Sequence, residues 1–535
     1  MDFGKDSFPD SEQPVLQFIF ARRKNRRPFG EDKTPSMTVP ADRPGKHPTG
    51  GYCFLLIYLR QSDYRKSPLK GTTGMPIRYY STNRHVKQAA GITPFTGSVS
   101  FREALLAGQS PDEGLFVPDA IPRLSMKDMV ALRDQPYWQA ALLVARAFLS
   151  DEFSPDVLEA IVKDAYNFPV PLEAVYPRAF ILRLDQGPTA SFKDFAARMM
   201  ARLMSHCRPE GERLNILVAT SGDTGSAVGE AYKGVDGIDV TILYPADEVS
   251  LMQKKQLDTI GGNVRAMCVD GKFDDCQNLV KEAFADKDLA RFNLSSANSI
   301  NFGRILPQIV YYVYAYAQLA GAGEEVVVSV PSGNFGNALG CEYARRMGLP
   351  VAKLIMPTNE NDEFPAFLET GIYTKLSPSR ACISNAMNVG HPSNLARFFE
   401  LYGGTVDRTG MVHRYPDLEK MRRHIFSVSV SDGQTRQTIK SVYERYRVVL
   451  EQHGAVGWAG LAAYQKITGD TRLAICLETA HPAKFPDEIK DLLGIDPEPP
   501  ESMKDLAGRE GSAINLSRDF ASFKTYLQAH LKIKK

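Results

Sequence analysis

From Ile77 onward, short β-branched runs alternate with longer stretches in which apolar residues recur every three or four positions. The short runs have the length of strands, and the longer stretches have the period of amphipathic helices. Strands are predicted at 216–219, 240–244, 326–330, 351–356 and 473–477. Helices are predicted at 126–149, 155–166, 192–207, 248–260, 274–285, 301–319 and 434–452. Strands that are separated by helices indicate parallel sheets with both faces covered.

The first two helices precede the first convincing strand, which predicts a helical layer ahead of the sheets. We expect the α/β class, with two lobes of mostly parallel sheet flanked by helices, an N-terminal helical domain and a disordered N-terminal extension. The expected division is a low-structure basic extension at 1–74, a mainly helical domain at 75–175, an α/β region of two lobes at 176–495 and a helical tail at 496–535.

The first 74 residues differ in composition from the rest of the chain, because they contain 13 Lys and Arg but only 8 Asp and Glu. The basic cluster at 22–27 could be a targeting or nucleic-acid-binding arm. Alternatively, the segment is a dispensable tail, or translated sequence upstream of a native start at Met75. The whole chain carries a formal charge of only +2. A near-neutral body gives no electrostatic reason to expect nucleic acid or an anionic membrane as a partner.

Seven cysteines are dispersed without a CxxC pair, and the nine histidines form no HExxH motif. This pattern predicts neither a metal site nor a disulfide framework, and scattered thiols fit a reducing compartment. The early apolar run at 52–59 is shorter than the roughly 20 residues that cross a bilayer. We therefore expect a cytoplasmic protein, monomeric or homodimeric, without a membrane partner.

The segment Gly187-Pro188-Thr189-Ala190-Ser191-Phe192-Lys193-Asp194-Phe195 places a lysine at the start of a predicted helix. Gly-Pro forms a turn, and Ser191 or Thr189 can cap the helix. Because a helix N-terminus already carries a partial positive charge, it favours the neutral form of Lys193. A neutral amine is the form that condenses with an aldehyde. The alternative is an exposed surface lysine beside Asp194.

Three strand-to-helix junctions are rich in glycine and small polar residues. They are 219–227 (ATSGDTGSA), 295–301 (SSANSIN) and 331–337 (PSGNFGN). Ligands of open α/β sheets bind outside the carboxyl ends of the strands, where such loops converge. Backbone N–H groups at a helix N-terminus favour an anion. Neither glycine loop has a GxGxxG or GxxxxGK[ST] spacing, so the junctions predict a small phosphate-bearing ligand and no dinucleotide or P-loop site.

Together these motifs resemble the threonine synthases, within the wider family that includes the tryptophan synthase β subunit and the serine/threonine dehydratases. The resemblance runs from about residue 77 to about residue 493, and residues 1–74 have no part in it. It depends on GPTASFKDF (187–195), TSGDTGSA (220–227), SANSIN (296–301), PSGNFGN (331–337), TNENDEF (358–364) and TAHPAKF (479–485). EGLFVP (113–118) is similar to the N-terminal signature of the longer branch.

The resemblance implies a fold type II enzyme whose cofactor is pyridoxal 5'-phosphate, bound in the 176–495 region. It implies that Lys193 forms the Schiff base with the cofactor and afterwards moves protons. The cofactor phosphate is expected on the backbone of the 331–337 loop, at Gly333, Asn334, Phe335 and Asn337. Thr479 is expected beside the pyridine nitrogen, where a hydroxyl is a neutral partner.

The same resemblance implies substrate contacts, with a structural alternative for each. Ser221, Asp223 and Thr224 are expected near the substrate carboxylate and the cofactor ring, although Ser221 and Thr224 could instead cap a turn. Asn298, Ser299 and Arg304 are weaker candidates on the substrate side, and Arg304 could instead pair with an acid. His481 and Lys484 are candidate ligands or structural residues. The tyrosines of 311–316 are expected to pack in a core.

The implied activity is that of a lyase in threonine biosynthesis, which converts O-phospho-L-homoserine and water to L-threonine and phosphate. The nearest alternative is a phospho-lyase of the same fold that releases 2-oxobutyrate. Two further alternatives are a cofactor-free scaffold protein that has kept the fold and an RNA-binding protein that uses the basic N-terminal arm.

Overall fold

The computed structural model describes residues 76–86 and 93–532. The predictions made for residues 1–74, including the basic cluster and the apolar run, lie outside these described residues. The strands are β1 Tyr79–Ser81, β2 Phe116–Pro118, β3 Leu172–Tyr176, β4 Ala179–Arg183, β5 Leu214–Ala219, β6 Ile238–Pro245, β7 Val264–Asp270, β8 Leu294–Ser295, β9 Val326–Ser329, β10 Val351–Ile355, β11 Thr405–Val406, β12 Val412–Arg414, β13 Ile425–Phe426, β14 Leu473–Glu478 and β15 Ile514–Ser517.

The helices alternate with these strands along most of the chain. They are α1 Phe101–Ala107, α2 Met126–Val130, α3 Tyr137–Leu149, α4 Pro155–Ala165, α5 Lys193–Cys207, α6 Asp223–Tyr232, α7 Leu251–Asp258, α8 Phe273–Ala285, α9 Pro307–Leu319, α10 Gly336–Arg346, α11 Glu363–Thr370, α12 Leu395–Leu401, α13 Leu418–His424, α14 Asp432–Tyr446, α15 Gln452–Thr468, α16 Pro486–Leu493 and α17 Phe520–His530.

The larger sheet has six strands in the order β13-β10-β9-β14-β4-β3. All neighbours are parallel except β3, which pairs antiparallel with β4 at one edge. Every residue of β9 and β14 is buried, because helices cover both faces of a parallel sheet. The predicted α/β class is confirmed. Burial on both faces is also why these strands stand out in the sequence as continuous apolar runs.

The smaller sheet has five strands in the order β15-β7-β6-β5-β8, and all of its neighbours are parallel. Strand β15 comes from the far C-terminal segment and pairs with β7 along Ile514–Ser517. The expected helical tail at 496–535 therefore contains a strand as well as α17. A four-residue strand with one buried side chain, Leu516, is too short to stand out by its pattern.

Two long predicted helices are each divided in the structure. The 126–149 stretch becomes α2 and α3, because Asp134 adopts a left-handed φ of 58° and Pro136 precedes α3. The 434–452 stretch stops with α14 at Tyr446, where Arg447 takes a φ of 61°, and α15 starts afresh at Gln452. Both breaks occur where the apolar spacing continues but the backbone turns.

Helix α9 lies in the core between the N-terminal helices and the sheets. It contacts α3, α5 and α10, and Tyr311, Tyr312 and Tyr316 are buried along it. The prediction that these tyrosines pack in a core is confirmed. None of the helices within residues 76–86 and 93–532 is both long enough and apolar enough to span a membrane.

The C-terminal segment closes the hydrophobic layer over β7 and α8, and Phe523 is completely buried there with Leu516 and Leu527. Replacement of a buried Phe by Ala costs roughly 3–5 kcal/mol. We predict that Phe523→Ala raises amide exchange along Ile514–His530 by about two orders of magnitude or more, because this layer opens locally. Hydrogen-exchange mass spectrometry measures this rate. The control is Gln528→Ala on the exposed side of α17, and equal exchange in the two variants would contradict the prediction.

Candidate active site

The loops that follow β4 and β14 meet at the carboxyl edge of the larger sheet. These strands are parallel neighbours, so the chain leaves both at the same edge. The backbone N–H of Phe192 donates to Thr479 O at 2.9 Å, and Ser191 forms an isolated bridge with Ala480. Lys193 and Thr479, which are almost three hundred positions apart in the chain, are thereby held side by side.

Lys193 is the first residue of α5, as the sequence predicts, and its side chain is 13% exposed. Burial lowers the pKa of its amine, Asp223 opposes this shift, and Lys484 and Arg304 add to it. Its Nζ lies 3.4 Å from Asp223 Oδ2. The amine is therefore neither the exposed surface lysine of the alternative interpretation nor half of a tight ion pair.

The predicted capping of this helix by Ser191 or Thr189 is wrong. Helix α5 has no side-chain cap at its start, and the Ser191 hydroxyl is buried without a partner among the described residues. The hydrogen bonds run in the opposite sense: the backbone N–H and the hydroxyl of Thr189 donate to Asp194 at 2.9 and 2.7 Å. The Asp194 carboxylate, one residue after the lysine, thereby accepts from both donors of Thr189.

Asp223 begins α6 at the edge of the smaller sheet and carries a charge shared among several donors. Lys484 Nζ lies 2.7 Å from its Oδ1, and Gln253 Nε2 donates to the same oxygen at 2.8 Å. The pKa of Asp223 is lowered well below its usual range because Lys484 and Lys193 outweigh its burial. Asp223 is therefore a permanent anion beside the Lys193 amine.

The turn before Asp223 is shaped by a residue that the sequence reasoning missed. The hydroxyl oxygen of Thr220 accepts hydrogen bonds from the N–H groups of Gly222 and Gly225 at 3.0 and 2.8 Å. The capping role considered for Ser221 and Thr224 is thus filled by Thr220. Ser221 and Thr224 are both partly exposed on this turn.

The 331–337 loop leads from β9 into α10. Phe335 occupies the N-cap position with a left-handed φ of 62°, and no side chain caps the helix. The N–H groups of the first turn of α10 therefore remain available to an anion. The Asn334 Oδ1 accepts from the N–H and the hydroxyl of Ser393 at 3.4 and 3.3 Å.

Asn337 sits one residue into α10 and is held by two tyrosines of α9. The hydroxyls of Tyr311 and Tyr312 each lie 2.5 Å from Asn337 Oδ1, and Tyr312 also donates to the Asn337 carbonyl at 2.9 Å. The Asn337 Nδ2 group is buried without a partner among the described residues. Core tyrosines thus fix the orientation of a predicted ligand residue, a link that no local sequence pattern reveals.

The 295–301 segment approaches the same region. Asn298 Nδ2 donates to Ala219 O at 3.4 Å, which places Asn298 against the turn that carries Ser221 and Asp223. Arg304 is 4% exposed and donates to Ala297 O at 2.7 Å, while its Nε has no partner in the described part of the chain. Burial lowers the pKa of Arg304 to about 10, and no acid pairs with it at short range among those residues.

Arg397 in α12 was missed by the sequence reasoning and is completely buried. Its guanidinium donates to Phe116 O, Ser299 O and Ile300 O at 3.0, 3.0 and 2.6 Å, and to Asn394 Oδ1 at 2.6 Å. Since Asn394 in turn donates to Asn334 O at 3.1 Å, one side chain connects β2 with two of the predicted binding loops.

The two undecided residues of the 479–485 segment have distinct surroundings. His481 Nδ1 accepts from the N–H of Ala483 at 3.2 Å, and burial lowers the pKa of His481 to about 4. The imidazole is therefore neutral near pH 7. Of the two roles considered for His481, ligand or structural residue, the observed contact fits the structural role. Lys484 is fully buried and pairs with Asp223.

Comparison with known proteins first defines the class. Residues 170–477 match the family model described as pyridoxal-phosphate dependent enzyme. Residues 78–166 match the model described as threonine synthase N terminus, and residues 454–527 match threonine synthase, C-terminal. The chain belongs to the threonine synthase family of pyridoxal-phosphate-dependent enzymes.

Individual relatives agree over most of the chain. The threonine synthase of Haemophilus influenzae is 38% identical over 431 residues, which cover 80% of this chain and 96% of that protein. The Escherichia coli enzyme is 36% identical over 81% of this chain and 97% of its own length. The PLP-bound threonine synthase structure from Brucella melitensis superposes with a TM-score of 0.78 at 34% identity, covering 85% of this chain and all of that one. The resemblance seen in the sequence motifs is confirmed.

The residues present fit pyridoxal 5'-phosphate. An amine whose pKa is lowered lies beside a fixed carboxylate, and the residue before it is hydrogen-bonded to Thr479. The uncapped start of α10 offers N–H groups to a phosphate, and the buried Asn337 Nδ2 lacks a partner among the described residues. Both ends of the cofactor therefore have groups of matching chemistry, an amine for the aldehyde and unpaired donors for the phosphate.

We predict that Gly333→Ala weakens pyridoxal phosphate binding by about tenfold, which corresponds to about 1.4 kcal/mol. A methyl group at position 333 would stand 3.0 Å from Ala386 O and from Met387 Cα, so the loop must shift. Titration of the cofactor-free protein by visible absorbance gives the affinity. Gly508→Ala is the matched control, because a methyl group there meets nothing within 4 Å. Unchanged affinity in Gly333→Ala would show that this loop does not hold the cofactor.

Proposed function

We propose that this chain converts O-phospho-L-homoserine and water to L-threonine and phosphate in threonine biosynthesis, with pyridoxal 5'-phosphate as its cofactor. The observation that carries the proposal is the buried Lys193 amine, held next to Asp223 and Thr479 in a chain that belongs to the threonine synthase family. A lyase reaction of this kind needs a base that can be neutral near pH 7.

Lys193 would hold the cofactor through its aldehyde, and the backbone of Gly333, Asn334 and Phe335 with the side chain of Asn337 would hold its phosphate. Thr479 would face the ring nitrogen with a hydroxyl, which does not enforce protonation as an aspartate would. When bound, the cofactor supplies an electron sink for the negative charge that develops at the substrate Cα.

The Lys193 amine is the group that we assign to proton transfer at Cα and then at Cβ. Its burial favours the neutral base. The charge of Asp223 stabilises the ammonium form once a proton has been taken up, so the amine can release that proton again. Burial and Asp223 shift the pKa of this amine in opposite directions. Such a balance suits a group that must accept a proton and donate it again within one turnover.

The substrate itself is a dianionic phosphate with a carboxylate and an amine. We assign its carboxylate to the turn with Ser221 and Thr224, and its phosphate side to Asn298, Ser299 and Arg304. Support comes from the contact of Asn298 with that turn and from the Arg304 guanidinium, whose Nε has no partner in the described residues. Loss of the γ-phosphate leaves an unsaturated carbon chain, and water adds at Cβ only while the site retains it.

We also propose that the chain works in the cytoplasm on this small molecule, as a monomer or homodimer. The six cysteines of the described residues are all buried and unpaired, which supports a reducing compartment. We further propose the division at 75–175, 176–495 and 496–535, and its first boundary is supported by the family models that match residues 78–166 and 170–477.

We predict that Lys193→Ala abolishes both the visible absorbance of the bound cofactor and the release of threonine, because the variant lacks the amine that condenses with the cofactor aldehyde. Absorbance spectra and a threonine assay with O-phospho-L-homoserine measure the two effects. Lys466→Ala is the control, since Lys466 is exposed on α15. Near-normal turnover by Lys193→Ala protein would remove the lysine from the mechanism.

The products formed by the unmodified protein decide the reaction itself. Equal molar release of threonine and phosphate from O-phospho-L-homoserine is expected. If 2-oxobutyrate replaces threonine as the main product, the chain is a phospho-lyase of the same fold. A colourless purified protein that does not take up pyridoxal phosphate would favour the scaffold alternative.

A further inference from the structure

The site contains a second buried lysine that the proposed mechanism does not use. Lys484 ends a short 3-10 turn, Pro482–Lys484, and its side chain has no exposed surface. Its Nζ lies 2.7 Å from Asp223 Oδ1 and donates to Thr189 O at 2.9 Å. A buried ammonium group is rare unless it is paired and hydrogen-bonded, and both of these partners belong to the loops that carry the site.

The two lysines contact different oxygens of the same carboxylate. Lys484 and Gln253 occupy Oδ1 at 2.7 and 2.8 Å, while Lys193 faces Oδ2 at 3.4 Å. Charge-assisted hydrogen bonds between ammonium and carboxylate are typically about 2.7–2.9 Å long. Lys484 therefore makes the close ion pair with Asp223, and Lys193 makes only a loose one.

The position of Lys484 is fixed from several sides. Its own carbonyl accepts from the hydroxyl of Ser250 at 3.2 Å, and Ser250 caps the helix that carries Gln253. Gln256 of the same helix donates to Thr189 O at 3.2 Å, the oxygen that Lys484 also uses. The amine thus cannot move off Asp223 without disturbing α7 and the loop that precedes Lys193.

The two lysines share this cluster with a small number of other charged or titratable groups. The charged or titratable groups that act on the two lysines are Asp223, Asp194, Arg304 and His481. Both carboxylate oxygens of Asp194 accept hydrogen bonds from Thr189. Arg304 is a cation, and His481 is neutral near pH 7. With both lysines protonated, the buried cluster holds more positive than negative charge, and the ion pair of Lys193 is the longer of the two.

We propose that Lys484 is the permanent counter-ion of Asp223 and, by occupying that carboxylate, keeps Lys193 out of a full ion pair and free to react as a neutral amine. Lys484 is in this sense a positioning residue: it acts on the cofactor-binding amine through Asp223. The inference rests on the role of Lys193 in the proposed function.

The test is the titration of Lys193 in the cofactor-free protein, measured by competitive acetylation at several pH values with quantification of the Lys193 peptide by mass spectrometry. The midpoint of the curve reports the charge on the amine, and the plateau at high pH reports its accessibility. The unmodified protein is expected to titrate below the ordinary lysine value of about 10.4, in agreement with the burial that lowers the pKa of Lys193.

In Lys484→Met protein the whole charge of Asp223 acts on Lys193, and a like charge is lost at the same time. Both changes raise the pKa of Lys193, by about one unit, so the neutral fraction at pH 8 falls about tenfold with an unchanged plateau. Lys484→Arg keeps the charge and is expected to keep the midpoint. In an Asp223→Asn background, Lys484→Met should shift the midpoint much less, because its route through the carboxylate is gone.

Several outcomes would overturn the inference. One is a midpoint in Lys484→Met equal to that of the unmodified protein. Another is a raised plateau in that variant, which would mean that Lys484 merely closes the site. A third is a shift of equal size in the Asp223→Asn background. Should Lys484→Met protein fail to fold, Lys484→Gln offers an uncharged side chain that can still donate to Thr189, and the same midpoint shift is required of it.

This experiment uses neither cofactor nor substrate, so it separates the inference from the proposed function. A midpoint near 10.4 in the unmodified protein would count against Lys193 as the reactive amine, whatever the variants do. A depressed midpoint that does not respond to Lys484→Met would leave the proposed function standing and remove only the role assigned to Lys484.

Discussion

A lysine must be taken out of water before its amine can be neutral near pH 7, yet a lysine buried without compensation destabilises the fold that buries it. In this chain burial lowers the pKa of Lys193 where the loops of the two sheets meet. Lys193 is enclosed to 13% exposure at the start of α5, and Asp223 reaches it from the smaller sheet without closing into a tight pair. The other contacts of the site keep the Lys193 amine buried and only loosely paired with Asp223.

The direction of the strands brings the loops around Lys193 together. Because β4, β9 and β14 run parallel in the larger sheet and β5 runs parallel to its neighbours in the smaller one, their carboxyl ends deliver four loops to the site. Each loop then begins a helix or a 3-10 turn, so backbone N–H groups accumulate at one end of the sheets. A ligand with a phosphate at one end and an aldehyde at the other finds donors and an amine there.

Much of this was predictable, because the signals are local. The apolar runs of β9 and β14 identify buried parallel strands, and the residues around Lys193 and Gly333 identify loops of unusual composition. The contacts that tune the site are not local: Lys484 and Asp223 are more than two hundred and fifty residues apart in the chain, and no spacing pattern links them. The error at Ser191 has a different origin, because Thr189 and Asp194 are close in the chain and the sequence does not reveal that Thr189 donates to Asp194 while Ser191 caps nothing.

The buried Arg397 affects how the segments around it unfold. Its buried charge is shared among carbonyl oxygens of β2, of residues 299 and 300, and the side chain of Asn394, all of them neutral acceptors. If any one of these segments moved away, the buried Arg397 guanidinium would lose part of its hydrogen-bond acceptors. The free-energy cost of an unsatisfied buried cation is far above thermal energy. Local opening of the N-terminal region is therefore thermodynamically linked to loosening of the 331–337 loop, and the two are expected to melt as one cooperative unit.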